Sequence, residues 1–237
     1  MNVLVTAGNT QTPIDKVRCI TNIFTGRTGA NLALEAWRRG HRVHLLTSHP
    51  EVVSELAVRL EQFPDSRWSV SAYQTFDQLH ALLETQIRGH AFDAILHTAA
   101  ISDYRSAGIY SPATETAFDH VSGKIHGRFV DRAAGKIKSD VPELWIRLTR
   151  TPKLVDLFRE PWGFRGILVK FKLEVGKTVP ELEAIAEPSR LQSRADFMVI
   201  NTLEGAAEWA LIGPLAGKYE HVPRGELSRR VLDVIEA

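Results

Sequence analysis

Apolar, β-branched residues come first in a short unbroken run, VLVTA (3–7), which stops at Gly8. A run of that length closed by a turn residue predicts a strand buried on both faces. The polar stretch GNTQTPID (8–15) reads as turn. From Thr28 to Arg39 the period changes: Leu32, Leu34, Ala36 and Trp37 recur at roughly helical spacing, and Gly40 suits the position just past a helix end. RVHLLT (42–47) predicts a second strand and SVSAYQT (69–75) a third. FDQLHALLETQI (76–87) predicts a helix with Phe76, Leu79, Leu83 and Ile87 on one side, and AFDAILHTAA (91–100) another buried strand. Strands and helices alternating at this pace predict an α/β fold, a doubly wound, mostly parallel Rossmann-like sheet with helices on both faces.

The alternation stops at Arg105. Residues 105–135 show little periodicity and several Gly, Ser, Thr and Pro, which predicts a long irregular flap or insertion, functional or mobile. LWIRLTR (144–150) predicts a strand, and TPKLVDLFRE (151–160) a short helix with Pro at its start. GILVKFKLE (166–174) and DFMVINT (196–202) predict strands around a helical stretch that Pro188 is expected to kink or divide. EWALIGP and KYEHVP predict a hairpin, and GELSRRVLDVIEA a closing amphipathic helix. With no repeat or linker, residues 1–237 are expected to form a single domain carrying the 105–135 flap.

Composition narrows the function. A chain of 237 residues can bury a substantial core unaided. A net charge of +1 with 24% charged residues calls for no nucleic-acid partner. One cysteine, Cys19, excludes a disulfide framework and a cysteine-built zinc site, and the nine histidines lack the His-Glu-x-x-His spacing, so no metal ligands are predicted. No apolar run reaches the ~18 residues needed to span a bilayer, and MNVLVTAGN opens as a strand rather than a signal peptide. A soluble, cytoplasmic protein with no membrane partner is the expectation.

Ligands of open α/β sheets bind beyond the carboxyl ends of the strands, where strand order reverses. That rule selects Gly8, the TAAISDY stretch (98–104), Phe171 and Asn201. Gly26 and Gly29 sit just before a helix whose N-terminal amides favour phosphate, although Gly-x-x-Gly there also serves as a turn with close packing. Taken singly, Asp103 reads as a helix cap, Lys136 as solvated surface and Phe171 as core. Asn22, between an apolar pair and a glycine loop, is an odd choice unless its amide is used. No Gly-x-Gly-x-x-Gly follows the first strand, no acid ends the second (LLTSHP), and Walker A is absent, which leaves an NAD(P)-linked oxidoreductase without its fingerprint.

Taken together, VLVTAGNTQTPIDKVRCITN, TGRTGANLALEAWRRGHRVHLLT, HTAAISDY, GKIKS followed by LTRTPKLVD, FKLE and ADFMVIN resemble, in order and over most of the chain, the phosphopantothenate–cysteine ligase family. The long middle segment looks like that of the family's free-standing bacterial type. The resemblance implies a ligase of coenzyme A biosynthesis. CTP or ATP, with Mg²⁺, would convert the carboxylate of 4′-phosphopantothenate into an acyl-nucleotidylate that the amine of cysteine attacks. It also implies roles. Gly8, Gly26 and Gly29 would line the nucleotide, with Phe171 on its base and Asn201 nearby. Asn22, Ala99, Ala100 and Asp103 would hold phosphopantothenate and the acyl intermediate. Arg18 would reach the substrate phosphate of the neighbouring subunit of a homodimer, and Lys136 would act from a flap.

Three positions depart from the family pattern: Phe24 replaces a small hydroxyl residue, the helix before ADFMVIN carries Arg190 and Arg194 instead of lysines, and Thr202 replaces an acid. They leave room for a diverged nucleotide-binding paralogue or a non-enzymatic ligand-binding module. A flavin decarboxylase is disfavoured because its segments are missing.

Overall fold

The computed structural model describes residues 1–58 and 60–237. The chain opens with β1 (Asn2–Ala7), a small hairpin β2 (Gln11–Pro13) and β3 (Cys19–Thr21), and α1 (Arg27–Arg38). Next come β4 (Arg42–Thr47), α2 (Pro50–Ala57), β5 (Trp68–Ala72), α3 (Phe76–Gly89) and β6 (Ala94–His97). A β-rich excursion follows, made of β7 (Tyr104–Pro112), β8 (Ala117–Asp119), β9 (Lys124–His126), β10 (Phe129–Asp131) and β11 (Trp145–Arg150). The chain then returns through a 3₁₀ turn (Leu154–Leu157), β12 (Ile167–Glu174), α4 (Val179–Gln192), β13 (Phe197–Thr202), β14 (Trp209–Leu215), β15 (Lys218–Pro223) and α5 (Leu227–Glu236).

Eight strands make the central sheet in the order β15-β14-β13-β12-β6-β1-β4-β5. The six from β13 to β5 run parallel, and β14 and β15 add antiparallel at one edge. Successive residues of β1 feed opposite layers, as the period of a strand requires. Val3 and Val5 pack with Leu32, Trp37, Val231 and Leu232 of α1 and α5. Leu4 packs with Leu79 and Leu83 of α3 and with Phe158. Burying each such side chain contributes about 1.5–3 kcal/mol, and both faces are covered, as a parallel sheet demands. Thr75 and Gln78 close a capping box on α3, about 1 kcal/mol for its first turn. β5 therefore stops at Ala72, short of the predicted end at 75.

The segment 105–135 is not irregular. β10, β7 and β11 form a three-stranded antiparallel sheet, and β8 pairs with β9. Strand 144–150 joins this small sheet instead of the central one. Every residue of β8, β9 and β10 is exposed, so the alternation that betrays a half-buried strand was never written there. Four further differences appear. The β2–β3 hairpin and α2 went unforeseen, 151–160 contains one 3₁₀ turn rather than a helix, and α4 runs through Pro188 undivided. The proline costs that helix one N–H bond toward the Ala184 carbonyl.

The chain steps from β1 outward to β4 and β5, then crosses back to β6 and outward to β12 and β13. Strand order reverses between β1 and β6, which places the crevice at their carboxyl ends.

Candidate active site

Two glycines let α1 approach that crevice closely. Gly26, at φ +82°, precedes the helix, and a Cβ there would lie 2.2 Å from the Gly8 nitrogen. At Gly29 a Cβ would lie 2.5 Å from Thr98 Oγ1 and 2.6 Å from the Ala7 methyl. Any side chain would push the helix N-terminus off the ends of β1 and β6. The loop before α1 is pinned by Asn9, a buried polar residue that the sequence reading passed over. Its Nδ2 donates to the carbonyls of Asn22 (2.7 Å) and Phe24 (2.9 Å). A polar amide two residues past a buried strand was the available signal.

Across the crevice the end of β6 is bonded to β1 and to the Asn22 loop. Ala100 N donates to the Gly8 carbonyl at 2.8 Å, and Asn22 Nδ2 donates to the Ala100 carbonyl at 3.0 Å. The amides of Thr98 and Ala99 donate to Thr6 Oγ1 at 3.1 and 3.2 Å. With those two bonds accepted, the Thr6 hydroxyl proton goes to His97 Nδ1, 3.0 Å away. That requires a neutral imidazole, and burial, seconded by nearby Lys170, pushes His97 down to about 3. Lys170 is itself pushed down to about 8 by burial, and its Nζ donates to the Ser189 carbonyl and Ser193 Oγ.

These elements enclose an open cleft of about 330 Å³. Gly8, Gly26, Ala99, Ala100, Phe171 and Asn201, chosen from separate stretches of sequence, all line it. Phe171 and Asn201 arrive on the paired strands β12 and β13, where Leu173 faces Asn201 in register. Phe24 lines it as well, where the family pattern has a hydroxyl, as do Arg27, Lys172 and Arg224, none of which the sequence singled out. Gly29 packs behind the wall.

Arg18, Asn22, Asp103 and Lys136 lie outside the lining, Asn22 just behind it through its bond to Ala100. Arg18 is held by Asp15, with Nη2 2.6 Å from Oδ2, and also donates to the Ile137 carbonyl at 2.9 Å. The Asp15 carboxylate further accepts the amides of Val17 and Arg18, both at 2.8 Å, and of Ile137 at 3.1 Å. The Arg18 side chain, followed by these amides, holds the Asp15 carboxyl far below the usual range. One carboxylate thus ties the β2–β3 turn, with Arg18, to the exposed Lys136 through buried Ile137. Asp103 is exposed, and its carbonyl accepts the Thr151 amide at 2.9 Å.

The other departures from the family pattern serve structure. Buried Thr202 accepts the Gly205 amide at 3.0 Å. Arg190 pairs with Glu187 and Arg194 with Glu160. No acidic residue lines the cleft, and no cluster of three His, Cys, Asp or Glu side chains able to hold a metal occurs among the described residues. Among the described residues the cleft therefore offers no carboxylate cage for Mg²⁺.

Fold and cleft define a doubly wound α/β protein with an open cleft at its switch point, glycine-tight where α1 begins and lined elsewhere by apolar and cationic residues. Residues 1–113 match the family model of the DNA/pantothenate metabolism flavoprotein C-terminal domain. The chain is 31% identical to the coenzyme A biosynthesis bifunctional protein CoaBC of Thermococcus kodakarensis, over 99% of its own length and 50% of that protein's. It therefore spans about half the length of this curated relative. Among solved structures, the DNA/pantothenate metabolism flavoprotein of Streptococcus pneumoniae superposes with a TM-score of 0.77 at 25% identity, covering 100% of this chain and 98% of that one. A Cab2 variant in complex with phosphopantothenate-cysteine shares the fold at TM-score 0.67 and 16% identity, covering 98% of this chain and 84% of that one. The chain is thus similar, over its full length, to a bifunctional protein of coenzyme A biosynthesis and to a DNA/pantothenate metabolism flavoprotein.

Proposed function

We propose that this chain joins 4′-phosphopantothenate to L-cysteine through an acyl-nucleotidylate, with CTP or ATP as cosubstrate. The observation that carries this reading is the convergence of Gly8, Gly26, Ala99, Ala100, Phe171 and Asn201 on one switch-point cleft that no carboxylate lines. The relatives' names, and the phosphopantothenate-cysteine bound in the Cab2 complex, agree with it.

In this reading the base packs on Phe171 beside Asn201, and the phosphates run toward Gly8 and Gly26. The first step is attack by a carboxylate oxygen of phosphopantothenate on the α-phosphorus, with pyrophosphate leaving. In the second, the cysteine amine attacks the acyl carbon, loses a proton, and the nucleoside monophosphate departs. Both steps place negative charge on phosphoryl and acyl oxygens, so fixed donors and positioning supply most of the catalysis. Asn22 braces the Ala100 wall and can turn a donor to the acyl group. Mg²⁺ would enter with the triphosphate and shield it.

Arg18 and Lys136 act from outside the cleft. Arg18 is proposed to reach the phosphate of the partner subunit's substrate in a homodimer, exchanging its bond to Asp15 for one to phosphate. Lys136 is proposed to close over the phosphates from the segment tied to the same Asp15. The test is pyrophosphate release by purified protein supplied with phosphopantothenate and either CTP or ATP. Release that requires phosphopantothenate and one of the nucleotides is expected; its absence with both nucleotides removes the ligase reading.

A further inference from the structure

Three cationic side chains line the cleft: Arg27, Lys172 and Arg224. Two already have carboxylate partners. Lys172 Nζ lies 2.7 Å from Glu174, and Arg27 reaches Glu55 at 3.7 Å across exposed surface. Arg224 has no such partner among the described residues. Its side-chain hydrogen bond goes to the neutral hydroxyl of Thr28, and desolvation by itself pulls its guanidinium below the ordinary value. The backbone holding it is fixed, because Arg224 N donates to the Glu208 carbonyl at 2.7 Å where β15 ends, and buried Leu227 starts α5 three residues on.

A half-buried cation without a counter-charge is a cost borne by the ligand-free fold. An anion in the cleft removes that cost. The planar fork of a guanidinium suits two oxygens of one phosphate, and the bond is charge-assisted. Neither α4 nor the turn after it has a spare cation to offer as a substitute, since Arg190 and Arg194 are both committed to glutamates.

We infer that Arg224, steadied by Thr28, is the polyphosphate anchor of the cleft. That the polyphosphate belongs to a nucleoside triphosphate rests on the ligase reading; the anchoring rests on the placement of Arg224. A purely structural arginine, strapping the β15–α5 junction to α1, is the competing role.

Calorimetric titration of CTP, ATP, cytidine, adenosine and inorganic tripolyphosphate into wild type, Arg224→Gln and Arg224→Lys separates the two. Arg224→Gln should weaken triphosphate and tripolyphosphate binding by about tenfold or more, the size of one charge-assisted contact. Nucleoside binding and the ligand-free melting temperature should be unchanged, and Arg224→Lys should recover part of the loss. Undiminished tripolyphosphate affinity in Arg224→Gln, equal losses for nucleoside and triphosphate, or a lowered ligand-free melting temperature accompanying the loss would overturn the inference. Should Arg224→Gln not fold, the same comparison on Arg224→Lys decides. Wild type that binds tripolyphosphate but neither CTP nor ATP would reject the nucleotide reading and leave the anchor standing; failure to bind tripolyphosphate would reject the anchor.

Discussion

At the scale of single residues, Gly26 and Asn22 separate space from chemistry. Gly26 is defined by what it lacks. Alanine there would meet the Gly8 backbone at 2.2 Å while adopting φ +82°, so Gly26→Ala should destabilise by about 2 kcal/mol or more and shift α1 away from the cleft. Urea unfolding checks the first effect and nucleotide titration the second; a variant matching wild type in both would show that α1 tolerates displacement. Asn22 is defined by its amide. In Asn22→Asp a carboxylate replaces the donor 3.0 Å from the Ala100 carbonyl and, in the proposed reaction, would repel the phosphoryl group of the acyl-nucleotidylate. Pyrophosphate release should survive better than product formation, measured side by side. Equal losses in both steps would confine Asn22 to bracing the wall. Asn22 stood out in the sequence because it was a polar residue with no local task. Asn9 did not, because its task, capping the carbonyls of a loop thirteen and fifteen residues on, leaves no local pattern.

At the scale of elements, the segment bearing Lys136 is held to the β2–β3 turn by the Asp15 carboxylate, the Lys16–Gly135 bond and the packed Ile137. A surface Lys→Gln change normally shifts stability by no more than about 0.5 kcal/mol. Lys136→Gln should do the same and yet cut turnover by at least ~10-fold, about 1.4 kcal/mol of transition-state stabilisation. Residues 105–135 should also become harder for protease to cut once nucleotide and phosphopantothenate bind. Unchanged turnover in Lys136→Gln, with cleavage indifferent to ligands, would make the segment a passive arm. The parallel strands and main helices were legible from sequence because each buries residues at the period of its geometry, as with Phe76, Leu79, Leu83 and Ile87 on α3. The arm was illegible because β8, β9 and β10 bury nothing. Their pairing is a backbone matter that apolar spacing does not record.

At the scale of the molecule, a buried imidazole under the cleft couples the fold to pH. Burial holds the His97 imidazole at about 3 in the folded chain, against an ordinary value of 6.5. Below 6.5 the unfolded chain takes up a proton that the native chain refuses. Stability present above 6.5 is therefore lost as pH falls toward 3, at about 1.4 kcal/mol per pH unit once titration is under way. His44, lowered mainly by desolvation, acts in the same direction. Urea midpoints at pH 7.5 and pH 5 should fall in wild type, and most of that fall should vanish in His97→Asn. A variant falling just as steeply would show that His97 is protonated in the native protein.

The six cleft residues that the sequence reading named come from five stretches of chain and meet at one reversal of strand order, and the ligase reading follows from that meeting. Its most direct measurement is a single-turnover reaction of the purified protein with phosphopantothenate and CTP or ATP, quenched and weighed by mass spectrometry before and after cysteine is added. An acyl-nucleotidylate should accumulate with one equivalent of pyrophosphate, then convert on cysteine addition to phosphopantothenoylcysteine and nucleoside monophosphate. Pyrophosphate and product that appear only together, with no acyl-nucleotidylate detectable before cysteine, would contradict the two-step use of this cleft; no product at all would contradict the ligase itself.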